Sequence, residues 1–279
     1  MKLRITRITA LYPSSVFVQW DITPEPNDVT DYWISVERSG GPEGPWELLA
    51  SNLKNAYHFL DAHFNAPIPE RPDATKEGLN LLSLSKQVYY RITGIDGHKA
   101  VVVGDPTPIE PDLDVRTRLL KRKMQFDEAL GFKVLNGISL SVLKRRHWGI
   151  RCTLCYDPVT KDGLQEHCKS CFGTTFEGGY WSPVLIRGRK DVAPVQTQMS
   201  AHGKTDRAVT TFTLLDYPKL EHGDVVVDLR KDDRYFIEMV TTTELKGIPV
   251  HQKVTGSLLA RDAVEYEIPA NTLTTPRLY

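Results

Sequence analysis

All four cysteines of this 279-residue chain lie within one short segment. They form two C-x-x-C pairs, Cys152 with Cys155 and Cys168 with Cys171. Four thiolates, each about 2.3 Å from a Zn²⁺ ion, complete its tetrahedral coordination. A C-x-x-C turn directs two sulfurs to one point. Two such turns joined by a short hairpin therefore predict a closed zinc ribbon with one structural zinc ion per chain.

Two disulfides or a redox-active dithiol are the alternative interpretations of this cluster. Neither pair lies in a thioredoxin-like β-α-β context, and a dithiol accounts for only half of the cysteines. The N-terminus lacks the apolar core of a signal peptide, which favours a reducing cytosol, where clustered cysteines more often bind metal. His167 is an alternative ligand beside Cys168. Gly173 is expected to be left-handed, so that backbone amides approach the sulfurs.

The composition is that of an ordinary soluble protein. The 35 basic and 35 acidic residues cancel, so the global positive charge of a nucleic-acid coat is absent. No apolar run of about 18 residues exists, so we expect neither a transmembrane helix nor a membrane partner. The length predicts two or three domains.

The first 110 residues have the alternating apolar pattern of β-strands. Tyr32, Ile34 and Val36 alternate in one run, and turn signals recur about every ten residues, which indicates an antiparallel sandwich. The proline-rich stretch 65–78 is predicted to be an inserted loop.

This region resembles a fibronectin type III domain. The resemblance depends on Trp20 in the second strand, Tyr32 at the head of the third, and Leu82 before a strand of the Y-x-R-[VI] type. Val88 stands where that family usually places a corner tyrosine. The resemblance implies that residues 1–110 fold on their own and present a surface to partners.

A basic helical linker is predicted for residues 111–150. Its helix should begin near Asp114, which can cap it, and end at Gly131. Between residues 115 and 151 only Asp127 and Glu128 are acidic, against ten basic residues: Arg116, Arg118, Lys121, Arg122, Lys123, Lys133, Lys144, Arg145, Arg146 and Arg151. A solvated helix face, an acidic partner surface and nucleic-acid phosphates are all compatible with this charge.

The fold class predicted for the whole chain is mainly β. The zinc ribbon occupies residues 151–181 and is expected to hold two β domains at a fixed angle. A C-terminal β domain, a small barrel or sandwich, follows at 182–270, with a tail at 271–279. Asp232 and Asp233 are placed in a hairpin turn, and His251 in an inter-strand contact. No nucleophile–base trio, phosphate loop or paired-carboxylate motif is recognisable, so an enzyme is not expected.

Residues 113–269 resemble a class of structural proteins from tailed bacteriophages. The matching residues near the cysteines are Gly173, Thr174, Phe176, Gly178, Gly179, Tyr180, Trp181 and Pro183. Those in the C-terminal domain are Gly223, Asp224, Asp228, Arg234, Tyr235, residues 247–250, Gln252, Tyr266, Ile268 and Pro269.

The resemblance implies a virion component, made in the host cytoplasm, in the neck or head-to-tail connecting region. Its implied partners are portal, neck or tail subunits and further copies of itself in a ring or symmetric set. The alternative is a nucleic-acid-binding protein that uses the zinc ribbon and the basic segment 115–151 as its contact surface.

Overall fold

The computed structural model describes residues 1–11, 15–24, 31–61, 88–95, 101–109, 114–160, 163, 168–192, 196–200, 203–207 and 209–270. The chain divides into two compact units. The first comprises Met1–Met124 and Trp148–Ile150, and the second comprises Gln125–His147 and Arg151–Tyr279. Strands dominate both units, which confirms the mainly β fold class.

The first unit contains two antiparallel sheets. Its strands are β1 (Lys2–Leu11), β2 (Ser15–Thr23), β3 (Trp33–Ser39), β4 (Glu47–Lys54), β5 (His58–Asp61), β6 (Tyr89–Ile95), β7 (Val101–Val103) and β8 (Thr107–Pro108). One sheet has the order β1-β2-β5 and the other has the order β4-β3-β6-β7, with β8 also paired to β6.

Side chains that alternate along these strands form the core of the first unit. Tyr32, Ile34 and Val36 are fully buried, as their spacing predicted. Trp20 is buried, and its indole N–H donates to the Ala56 carbonyl at 2.8 Å. Gly94 of β6 faces Leu3 of β1 so closely that a Cβ atom there would lie 2.8 Å from the Leu3 methyl. The predicted loop 65–78 and Leu82 lie outside the described residues.

A buried carboxylate joins strands of both sheets in this unit. Asp61 of β5 accepts hydrogen bonds from the Tyr90 hydroxyl of β6 at 2.8 Å and from the Arg38 guanidinium of β3 at 2.7 Å. Burial and the neighbouring carboxylate of Asp61 raise the pKa of Tyr90, which keeps its hydroxyl protonated as a donor. The negative charge of Asp61 is therefore compensated within the first unit by Arg38.

The buried imidazole of His58 makes the stability of the first unit sensitive to acid. It packs between Phe17 and Tyr57, and its Nδ1 has no hydrogen-bond partner among the described residues. Burial lowers the pKa of His58 from 6.5 to about 4. The folded state therefore binds this proton less readily than the unfolded chain, so the stabilisation is complete above about pH 6.5 and is lost as the pH falls toward 4.

We expect a His58→Phe variant to flatten this acid dependence. The shift corresponds to at most about 3 kcal/mol. Urea unfolding followed at several values between pH 4 and 7 measures it. Identical pH profiles for the variant and the unmodified protein would count against a titrating His58.

Helix α1 (Val115–Gly131) begins where the sequence predicts. The carboxylate of Asp114 accepts the backbone N–H of Thr117 at 3.4 Å, as an N-terminal cap does. At Gly131 the backbone stays right-handed, with φ −58°, and continues into a π-helical turn over Phe132–Asn136. Among the described helices, none is both long and apolar enough to cross a membrane.

The second unit is built around a closed barrel of six antiparallel strands. These are β9 (Ile138–Leu143), β10 (Val184–Val192), β13 (Val209–Leu215), β14 (Val225–Asp228), β15 (Asp233–Leu245) and β16 (Ile248–Leu258), in the spatial order β10-β13-β16-β15-β14-β9. Between β10 and β13, strands β11 (Gln196–Ser200) and β12 (Gly203–Arg207) form a separate two-stranded ribbon. A short 3-10 helix, Val264–Glu267, follows the barrel.

The barrel is filled by its own side chains. Buried residues on its strands include Leu140, Val142, Phe212, Leu214, Val226 and Val254. The rings of Phe212 and Tyr235 meet edge to face at 5.1 Å, although their strands are not neighbours. Gly188 lies against Leu214 and Leu140, so a side chain at this position would collide with both. The barrel is thus a packed core.

Strand β9 changes the predicted domain boundaries. Residues Ile138–Leu143 fall within the predicted helical linker 111–150, but they form a strand that pairs with β10 on one side and β14 on the other. The cysteine segment therefore leaves the barrel at the end of β9 and returns at the start of β10. It is an insertion in one hairpin of the barrel.

Two smaller expectations have different outcomes. Asp232 and Asp233 do lie at the β14–β15 hairpin turn, where Asp232 has a φ of 54°. His251 is on strand β16, and its Nδ1 lies 3.3 Å from the carboxylate of Glu128 on α1, so this polar contact is with the helix.

Candidate metal centre

The four cysteines come together in one buried cluster. Cys152, Cys155, Cys168 and Cys171 are at most 4% exposed, and their sulfurs all lie within 4.8 Å of one another. The second unit thus assembles all of the predicted ligands. His167, the alternative ligand, lies outside the described residues.

The distances between sulfurs fit four ligands around one ion. The Cys152 and Cys168 sulfurs are 3.8 Å apart, and those of Cys155 and Cys171 are 3.1 Å apart. A tetrahedron with bonds of about 2.3 Å has edges of about 3.8 Å. Both separations exceed the roughly 2.05 Å of a disulfide bond, and all four residues are free thiols. The geometry is therefore compatible with a metal site.

The second C-x-x-C turn has a backbone shaped for sulfur ligands. The N–H of Phe172 donates to the Cys168 carbonyl at 2.7 Å, and Phe172 and Thr175 have positive φ angles of 49° and 66°. Gly173 has the predicted left-handed conformation, with φ 72°. This path turns backbone amides toward the sulfurs.

Gly179 packs against the end of the same turn, at Cys171 and Phe172. Its φ is 61°, and a Cβ atom there would lie 2.6 Å from the Cys171 carbonyl oxygen and 2.7 Å from the Phe172 ring. Both the backbone angle and the lack of space require glycine at this position.

The electrostatics differ between the sulfurs. The amides of Ser170 and Cys171 hydrogen-bond to the Cys168 sulfur and lower its pKa to about 7. Burial, together with hydrogen bonds to the neighbouring sulfurs, raises the pKa of Cys155. Metal binding requires thiolates, so a bound cation would supply the charge that Cys155 needs to lose its proton.

Two basic residues at the base of the segment, Arg145 and Arg146, contact it through their side chains. Arg145 donates to the Gly173 carbonyl at 3.4 Å. Arg146 donates to the carbonyls of Tyr180 and Glu177, and its guanidinium lies 4.4 Å from the centre of the Trp181 ring. These side chains bind backbone carbonyls at Gly173, Glu177 and Tyr180, in the stretch that follows the second C-x-x-C turn.

Lys144 forms buried ion pairs inside the second unit. It is 5% exposed, and its Nζ lies 3.0 Å from both Glu221 and Asp224. Asp224 is fully buried and also accepts the backbone N–H groups of Arg145 and Glu221, both at 2.8 Å. Burial on its own raises the pKa of Glu221, but Lys144 and Lys219 outweigh it and lower that pKa to about 2.

These contacts engage part of the basic segment inside the chain. Lys121 and Lys144 are buried, and Arg145 and Arg146 bond to backbone oxygens. Burial of Lys144 could not be predicted because its acidic partners lie 77 and 80 residues away in sequence.

Comparison with known proteins adds little. No protein-family model and no curated protein matches the chain. Among solved structures, the pectate lyase Pel3 from Pectobacterium carotovorum is similar over 40% of this chain and 28% of its own, with 14% identity and a TM-score of 0.27. A likeness at this score says nothing about fold or activity.

Proposed function

We propose that this chain is a structural component of a tailed-phage virion, in the neck or head-to-tail connecting region, and not an enzyme. It assembles as symmetric copies, with one zinc ion as a structural staple. One observation supports this proposal best: the residues that carry the phage resemblance make structural contacts, some between the cysteine segment and the barrel and others within the barrel and the chain that follows it.

The glycine-rich part of the resemblance holds the cysteine segment against the barrel. Tyr180 is buried in a cluster with Leu143, Val225, Val227 and Ile268. The backbone N–H of Trp181 donates to the Lys144 carbonyl, and that of Arg146 donates to the Gly179 carbonyl. Asp224, also part of the resemblance, lies beneath this joint and binds Lys144.

The remaining matched residues fix the barrel and the chain that follows it. Gln252 donates to the carbonyls of Leu215 and Pro218. Arg234 bonds to the Glu265 carbonyl and stacks on Tyr266, with 5.0 Å from its guanidinium carbon to the ring centre. Asp228 lies 3.2 Å from Lys190 Nζ. Residues with such roles suit a protein that must keep its shape within an assembly.

Zinc is the metal that suits this donor set best. Four thiolates in a tetrahedron select zinc or iron, and a buried site without an open position is typical of structural zinc. When bound, the ion links the two C-x-x-C turns and stabilises the segment, which has little apolar core of its own. Metal bonds of this kind contribute on the order of 10 kcal/mol at neutral pH.

The first unit is proposed to be a fibronectin type III-like sandwich that presents a surface to a neighbouring virion protein. The arrangement of three strands, β1-β2-β5, beside β4-β3-β6-β7 supports this assignment. Tyr90 of one sheet hydrogen-bonds to Asp61 of the other, which links the two layers of such a sandwich.

Particle composition and oligomeric state test the proposed function. Native mass spectrometry of the purified chain should show a closed set of identical copies, alone or with a portal, neck or tail subunit. Antibodies against the chain should label the neck region of intact particles in electron micrographs. A monomer that joins no virion protein and is absent from particles would contradict the proposal.

The nucleic-acid-binding alternative is less favoured, because so much of the basic segment is bound internally. Among the described side chains, Arg116, Lys123 and Lys133 remain exposed. We expect little duplex binding at physiological salt. Phosphate contacts would give a slope of about −0.9 in log affinity against log salt for each phosphate neutralised.

A titration with labelled duplex and single strands at several salt concentrations measures this slope. The triple variant Arg116→Glu, Lys123→Glu, Lys133→Glu is the control, since exposed charges contribute little to folding. Submicromolar binding with a steep salt dependence, abolished in the triple variant, would favour the nucleic-acid function.

A further inference from the structure

The guanidinium of Arg151 contacts two aromatic rings, one following each C-x-x-C turn. Arg151 immediately precedes Cys152. Its guanidinium carbon is 4.7 Å from the centre of the Tyr156 ring and 4.0 Å from that of Phe176. Tyr156 follows Cys155 and packs against the cysteine cluster, and Phe176 follows the second turn. One cation thus contacts both halves of the site.

Arg151 also holds the loop that faces the Cys171 sulfur. Its Nη1 donates to the Thr175 hydroxyl at 2.9 Å, and the Cys152 N–H donates to the Thr175 carbonyl at 2.9 Å. The amides of Gly173 and Thr175 in turn hydrogen-bond to the Cys171 sulfur. A path of direct contacts therefore connects Arg151 to a predicted ligand at the far side of the cluster.

Charge provides a second reason for a cation at this place. Four thiolates and one Zn²⁺ ion have a formal charge of −2, and the four cysteines are buried. Buried charge is unfavourable unless it is compensated nearby. The planar Arg151 fork can satisfy hydrogen bonds and stack on rings at the same time, which a lysine cannot.

We propose that Arg151 is a positioning residue of the metal centre, which holds the two C-x-x-C turns at the spacing that one ion requires and offsets the charge of the thiolates. This inference rests on the proposed zinc centre. It predicts that Arg151 determines how tightly the metal is held, although it is not itself a ligand.

The test uses the full-length protein and the metal alone. Zinc affinity is measured by competition with a chromophoric chelator, and the coordination by the absorption of the Co²⁺-substituted protein. Arg151→Met should weaken zinc binding by about 10- to 100-fold, as loss of a group that supports a ligand does. Arg151→Lys keeps the positive charge but lacks the planar guanidinium. Its zinc affinity should lie between those of the unmodified protein and Arg151→Met.

Two further variants distinguish a local effect on the metal centre from a general loss of folding. Thr175→Val removes the hydroxyl that accepts from Arg151, and should weaken zinc binding in the same direction by a smaller factor. Arg91→Met is the matched control, because Arg91 also stacks on a ring, that of Trp46, but in the first unit. It should leave zinc affinity unchanged.

The outcomes separate the two proposals. If the unmodified protein takes up no metal, both fail. If it binds one zinc ion and Arg151→Met binds it with the same affinity and the same rate of release, only the role of Arg151 is overturned. Equal losses in Arg151→Met and Arg91→Met would overturn it as well, because they would indicate a general effect.

Discussion

Replacing Cys155 by serine is expected to abolish stoichiometric metal binding and to destabilise the second unit by several kcal/mol. Cys155 is 1% exposed and its sulfur lies 3.1 Å from that of Cys171. A serine hydroxyl is a poor replacement for a thiolate, and three ligands hold zinc far less tightly than four. Because metal binding contributes on the order of 10 kcal/mol, loss of one ligand removes a large part of it.

The measurement is the metal content of the purified variant together with its unfolding by urea. Thr153→Ser, an exposed change inside the same C-x-x-C turn, is the matched control and should keep both metal and stability. The first unit has its own core, so its signals should persist in the variant. A Cys155→Ser protein as stable as the metal-loaded parent would mean that no ion stabilises this segment.

Replacing Lys144 by methionine should cost about 3–5 kcal/mol, the usual effect of removing one partner from a buried ion pair. Asp224 has no exposed surface, and Lys144 is the cation that compensates it. The loss should appear as a lower urea midpoint for the barrel unit. A partial recovery is expected in the double variant Lys144→Met, Asp224→Asn, which removes the uncompensated charge but keeps an acceptor for the Arg145 N–H.

Lys219→Met is the matched control for this prediction. Lys219 Nζ also lies 3.0 Å from Glu221, but its side chain is 39% exposed. An exposed pair contributes at most about 1 kcal/mol. Equal stability losses for the two lysine variants would show that the Lys144–Asp224 pair is no more important than a surface contact.

The cysteine cluster could be predicted from sequence because its spacing is local. Each C-x-x-C turn is set by four consecutive residues, and the requirement for a left-handed Gly173 follows from the short path around the sulfurs. The strands of both units could be predicted from alternating apolar residues such as Ile34 and Val36. The start of α1 at Asp114 could also be predicted, because a helix cap involves only the next few residues.

The parts that could not be predicted depend on contacts between distant segments. The sequence alone could not show what Lys144, Arg145 and Arg146 contact, because their partners lie in the cysteine segment and at residues 221 and 224. Strand β9 precedes the cysteines and reads as part of a linker, since its barrel partners all follow the cysteines in sequence. Barrel closure itself depends on the pairing of β9 with β10, which no local pattern encodes.

The most direct test of the structural zinc centre is the mass and metal content of the intact protein. Native mass spectrometry and elemental analysis of the full-length chain, purified without added metal, should give one zinc ion per chain and four cysteines that are not disulfide-bonded. Removal of the ion by a chelator should lower the stability of the second unit, and zinc should restore it. A metal-free native protein, or one with disulfides among Cys152, Cys155, Cys168 and Cys171, would contradict it.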